Sequence, residues 1–155
     1  MRPGQNYVIW YAKATYVQAW AVNGRMASFV GSRSETKFSV ESKFKKAVSD
    51  FGSINTASVL NDIASFELAW RKSIADDELP GRYKFKPYKG VHRPYKLYQI
   101  YVGPNHNYRA VMMFFDGFSN ACWIHAFKKE WMNERQEVEL AKSRAEDYWY
   151  MIKGR

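Results

Sequence analysis

YKLYQIYV (95–102), GPNHN (103–107), YRAVMMFF (108–115), DGFSN (116–120) and ACWIHAF (121–127) follow one another without interruption. Three apolar runs rich in aromatic and branched residues alternate with two short connections built of Gly, Pro, Asn and Asp. Such runs favour extended chain and such connections favour hairpins, so the stretch predicts three antiparallel neighbouring strands.

Working outward, Arg82-Tyr83-Lys84-Phe85-Lys86 alternates cation with ring and predicts a further strand, with the cations on one face. Before it, Val59, Ile63, Phe66, Trp70 and Ile74 recur at helical spacing between a start at Thr56 or Ser58 and a stop at Pro80-Gly81. Earlier still, Ser42 is a candidate N-cap, Val40, Phe44, Val48 and Phe51 share a helical face, and Gly52 ends that helix. Lys37 to Glu41 reads as a short strand. After the hairpins, Val138, Ala141, Ala145, Tyr148 and Ile152 mark a last helix from about Glu130 to Met151. The order implies an α+β fold: a helical hairpin and a C-terminal helix packed on a small antiparallel sheet. Residues 1–35, with strand-like pieces at Tyr7–Tyr11, Thr15–Val22 and Met26–Val30, form an N-terminal extension to a domain over 36–155.

The chain has 155 residues and a formal charge of +9, which directs attention to an anionic partner. With 46% hydrophobic and 17% aromatic residues it is built to bury a core. Cys122 is the only cysteine, which excludes an internal disulfide and fits a reducing cytoplasm. Ala19-Trp20-Ala21 faintly resembles a signal cleavage site, but Lys13, Thr15 and Gln18 interrupt the apolar run. No run is long and apolar enough to cross a bilayer, so no membrane role is expected. His92, His106 and His125 have no carboxylate at ligand spacing, there is no phosphate-binding glycine loop, and no cofactor is expected.

Charge is distributed unevenly. From Leu79 to Phe115 there is no Asp or Glu, while Arg82, Lys84, Lys86, Lys89, Arg93, Lys96 and Arg109 alternate with tyrosines and Phe85. Cations beside flat rings suit a polyanion with bases to stack. The same rings at alternate strand positions also suit a core.

Leu79-Pro80-Gly81, Leu97-Tyr98-Gln99-Ile100-Tyr101, Tyr108-Arg109-Ala110-Val111, Ile124-His125-Ala126-Phe127-Lys128-Lys129 and Glu137-Val138-Glu139-Leu140-Ala141-Lys142-Ser143-Arg144 occur in this order. Over residues 36–150 the series resembles the RelE/HigB toxins of type II toxin–antitoxin systems. The resemblance implies a toxin that cleaves mRNA on the ribosome, with a cognate antitoxin, mRNA and the ribosome as partners. A branch of that superfamily poisons gyrase without nuclease activity, so a non-nuclease binding module is the alternative. The chain departs from the family where an expected Leu-aromatic-Glu-Leu-Arg strand reads Leu97-Tyr98-Gln99-Ile100-Tyr101, which removes an arginine.

Metal-free RNA cleavage needs a base for the 2′-hydroxyl, cations for the phosphate and an acid for the 5′-oxygen. The resemblance assigns Arg109 as phosphate clamp, against a structural arginine paired with Glu137. It assigns RNA contact or proton transfer to Lys84 and Lys86, which otherwise form a solvated edge face. His125 is the natural base by its pKa, although alternation puts it beside Trp123 and Phe127, as a packed histidine would be. Lys128 completes the candidate catalytic set. Lys89, Arg93, Lys96, Lys129 and Tyr101 are the candidate RNA contacts.

Overall fold

The computed structural model describes residues 33–130 and 132–154. The three strand-like pieces expected before Gly31 lie outside the described residues. In chain order the elements are β1 (Lys37–Val40), α1 (Ser42–Ser49), α2 (Ser53–Lys72), β2 (Lys86–Pro87), β3 (Tyr95–Val102), β4 (Tyr108–Phe115), β5 (Asn120–Lys128) and α3 (Glu134–Lys153). The fold is α+β, with one sheet in the order β1-β5-β4-β3-β2.

The central hairpins follow the sequence pattern. β3 pairs antiparallel with β4, and β4 with β5. The sheet is not wholly antiparallel, however. β1 lies parallel to β5, from Lys37 opposite Asn120 to Val40 opposite Trp123. The long connection from β1 to β5, through two helices and three strands, supplies the crossover that parallel neighbours require.

Arg82–Lys86 is not a strand. Gly81–Tyr83 forms a 3-10 turn, Lys84 is left-handed at φ 49°, and only Lys86 and Pro87 pair with β3. Both rings still reach the first core: Tyr83 meets Phe66 edge-on at 5.1 Å, and Phe85 stacks on Tyr98 at 4.4 Å. The left-handed Lys84 between them ends the extended backbone on which alternation depends. Pro87 also cannot donate to a ladder. Lys84 and Lys86 therefore do not share a strand face.

Two helix starts also differ from expectation. The Glu41 carboxylate, not Ser42, caps α1 by accepting from the Lys43 N–H at 2.9 Å. α2 begins directly after Gly52, whose φ of +91° turns the chain between the two helices. It ends at Lys72, so Ile74 lies beyond it and is exposed.

Helices cover both faces of the sheet. On one face, Phe44 and Val48 of α1 and Val59, Ile63, Phe66 and Trp70 of α2 pack on Ile100, Ala110, Met112, Phe114 and Trp123. On the other, Ala141 and Ala145 of α3 pack on Leu97, Val111, Met113, Cys122 and Ile124. The small side chains let the α3 backbone come close to the strands. Arg33 seals one end of the first core: it lies 3.9 Å above the Trp70 ring, donates to the Ser73 hydroxyl at 2.7 Å and pairs with Asp76.

Candidate functional site

The register of β4 and β5 breaks once. Val111 faces His125, but Met112 faces Trp123, leaving Ile124 as an extra residue. A bulge of this kind resets the alternation of side chains. Trp123 therefore joins the α1–α2 core, where its indole N–H donates to Glu67 of α2 at 2.8 Å. His125 turns to the α3 face instead. The expected sharing of a face between His125 and Trp123 fails for this reason, while Phe127 does stack near His125 at 5.6 Å.

α3 meets His125 with two side chains seven residues apart, and so on one helical face. The Glu137 carboxylate lies 2.7 Å from Nε2 and the Arg144 guanidinium 2.7 Å from Nδ1. Arginine can only donate and an ionised carboxylate only accept. The pair thus fixes one tautomer: Nε2–H donates to Glu137, and Nδ1 accepts from Arg144. His125 is 3% exposed. Burial lowers its pKa below the usual histidine range; the Glu137 hydrogen bond opposes this and the Arg144 charge adds to it. His125 is therefore neutral at pH 7.

These residues line an open cleft of about 530 Å³ between α1 and α3. β1 pairs with β5 only as far as Trp123, so among the described residues no strand borders the outer edge of His125–Lys128, which forms the floor. Lys43 and Lys46 of α1, Lys128 at the end of β5, and Arg144 supply cations, and Phe51 and Phe127 supply apolar wall. Asp50, Glu130 and Glu137 are the carboxylates present. Among the described residues, no group of three or more His, Cys, Asp or Glu is placed to hold a metal ion.

The other sequence-predicted residues are dispersed. Arg109 is 5% exposed. It donates to the carbonyls of His106 and Tyr108 at 2.9 and 3.1 Å, and its guanidinium lies 3.5 Å from the Tyr101 ring centre. It thus clamps the β3–β4 turn and partners no helix carboxylate through those contacts. Tyr101 is half-buried under it. Lys86 shares a register row with Gln99, Val111 and His125, which sets it three strands from the cleft, about 14 Å away. Lys84, Lys89 and Lys96 are exposed near the same far edge. Arg93 pairs with Glu146 of α3 at 2.8 Å, and Lys129 with Glu134 at 3.4 Å. The structure brings together only His125 and Lys128 of the expected set.

Glu137, Arg144, Lys43 and Lys46 were not singled out by sequence for the site. The seven-residue spacing of Glu137 and Arg144, with Ala141 between them, is the signal that was available. Lys43 and Lys46 give none, because a cationic helix face is ordinarily a solvated one.

No protein-family model and no curated protein matches the chain. Among solved structures, the crystal structure of the archaeal RelE-RelB complex from Pyrococcus horikoshii OT3 matches with a TM-score of 0.42 at 12% identity, over 61% of this chain and 94% of that one.

Proposed function

We propose that this protein is an RNA-cleaving toxin of a toxin–antitoxin pair, working without a metal in the cleft between α1 and α3. One observation carries the reading: a neutral, oriented imidazole stands between a carboxylate and a guanidinium in a cleft bordered by lysines. Glu137 holds the imidazole so that Nδ1 is the proton acceptor. Arg144, now on Nδ1, moves to the scissile phosphate when RNA enters, which frees that nitrogen. The 2′-hydroxyl then gives its proton to Nδ1 and its oxygen attacks phosphorus. The bond to the 5′-oxygen breaks, and an ammonium from Lys43, Lys46 or Lys128 protonates the leaving group. The order of motifs from Leu79 to Arg144 supports ribosome-bound mRNA as substrate, a cognate antitoxin as partner and the cytoplasm as the place of action.

Expression of the chain is expected to arrest growth and truncate transcripts. His125→Gln and Arg144→Ala should each slow RNA cleavage by roughly 100-fold or more, as loss of a general base does. A fully active His125→Gln variant refutes the assignment.

A second reading keeps RNA or partner binding and drops the chemistry. Its support is that both His125 nitrogens and the Arg109 guanidinium are already engaged inside the protein. Growth arrest with intact transcripts would favour it.

A further inference from the structure

A second cleft, of about 390 Å³, lies between α1 and the first half of α2. Val40, Phe44, Val48, Leu60 and Ile63 line it with Ser49 and Thr56, and among the described residues Lys45 is the only charged one there. At its rim Leu60 is 47% exposed and Val40 42%. Exposed apolar side chains gathered in one cleft ordinarily have an occupant.

We propose that the occupant is the chain's own N-terminal segment, residues 7–30. Composition supports this. The segment contains Tyr7, Val8, Ile9, Trp10, Tyr11, Tyr16, Val17, Trp20, Phe29 and Val30, and no Asp or Glu. Connection supports it too. Arg33 is fixed at the C-terminal end of α2 through Trp70 and Ser73. From Trp70 back to Leu60 the helix rises about 15 Å, at 1.5 Å per residue. About five extended residues span that distance, so Ser28 and everything before it can reach the cleft. A tethered apolar segment is present at an effective concentration that no separate partner matches at ordinary dilution. A second copy is disfavoured, because it would bring two whole chains of charge +9 together at a cleft that carries Lys45.

The full-length chain tests this directly. Asn61 is exposed beside Leu60, and Cys122 is buried, so a nitroxide on an Asn61→Cys variant is selective. Amide signals within residues 7–30 should lose most of their intensity. They should keep it when isotope-labelled chain without nitroxide is mixed with nitroxide-bearing unlabelled chain. Adding Leu60→Asp should restore the signals in the first sample while the sheet resonances stay in place. Undiminished signals from residues 7–30, or equal losses in the mixed sample, would overturn the proposal; the latter identifies a second copy as the occupant. None of these outcomes depends on RNA cleavage, so the inference stands or falls apart from the proposed activity.

Discussion

Trp123 and His125 sit two residues apart on β5 yet project to opposite faces of the sheet, one bonded to Glu67 of α2 and the other to Glu137 of α3. The bulge at Ile124 produces this, and it couples both helical layers to one strand. A single extra residue thus delivers a titratable side chain to the cleft floor that regular alternation would have placed in the other core.

The buried imidazole makes stability pH-dependent. Its folded pKa is lowered, chiefly by burial, from an ordinary value of 6.5. The unfolded chain therefore binds the proton first, and stability is full above about pH 6.5 and falls as pH drops toward the lowered value. The slope for one proton is at most about 1.4 kcal/mol per pH unit. Denaturant midpoints should decrease from pH 7 to pH 5 in the native chain and change less in His125→Phe. Equal slopes in the two proteins would rule out His125 as the source.

Arg109 should behave as a structural residue. Its substitution by Ala leaves the His106 and Tyr108 carbonyls without their donor and Tyr101 without its cover. Hydrogen bonds from a charged donor contribute roughly 1.5–3 kcal/mol, and a loss of that order is expected in chemical denaturation. If Arg109→Ala instead keeps its stability and loses only RNA cleavage, the guanidinium belongs to the catalytic machinery after all.

Pattern revealed the strands, helices and hairpins because each depends on neighbours within one turn or one alternation. β3 to β5 and the buried face of α2 were legible for that reason. The side of the sheet that α3 takes was not, since Ala141 and Ala145 suit either face. Nor was the charge map. The run without acids from Leu79 to Phe115 finds its carboxylates in space: Asp62 of α2 reaches Arg82 at 3.4 Å, and Glu146 of α3 reaches Arg93 at 2.8 Å. His125, Glu137 and Arg144 likewise meet only because α3 folds back on β5. The bulge could not be read because Trp-Ile-His is as apolar without it as with it.

Gly103 and Gly117 separate two costs of replacing a turn glycine. Both have positive φ, +81° and +68°. A Cβ on Gly117 meets open space, whereas one on Gly103 would lie 2.7 Å from the Tyr108 ring and 3.0 Å from Val59. Gly117→Ala should cost about 1–2 kcal/mol, the strain of left-handed backbone alone. Gly103→Ala should cost more than that, because Tyr108 is packed against Phe51 at 4.6 Å and cannot yield freely. Thermal unfolding of the two variants side by side decides the comparison, and equal losses would mean that the turn relaxes away from the core.

Salt dependence distinguishes the cleft from the remote cationic edge. Each phosphate neutralised on single-stranded RNA contributes about 0.7 to the slope of log affinity against log salt. Lys43, Lys46 and Lys128 border the cleft, while Lys84, Lys89 and Lys96 lie toward the β2–β3 edge. If RNA lies in the cleft, neutralising Lys43, Lys46 or Lys128 to Gln should lower the slope by about that amount for each lysine that contacts a phosphate. The same change at Lys84 or Lys96 should leave it unaltered. All these side chains except those of the cleft are free of His125, so a slope that responds only to Lys84, Lys89 and Lys96 would move the RNA to the far edge of the sheet. It would also leave the imidazole as a pin between β5 and α3 rather than a base.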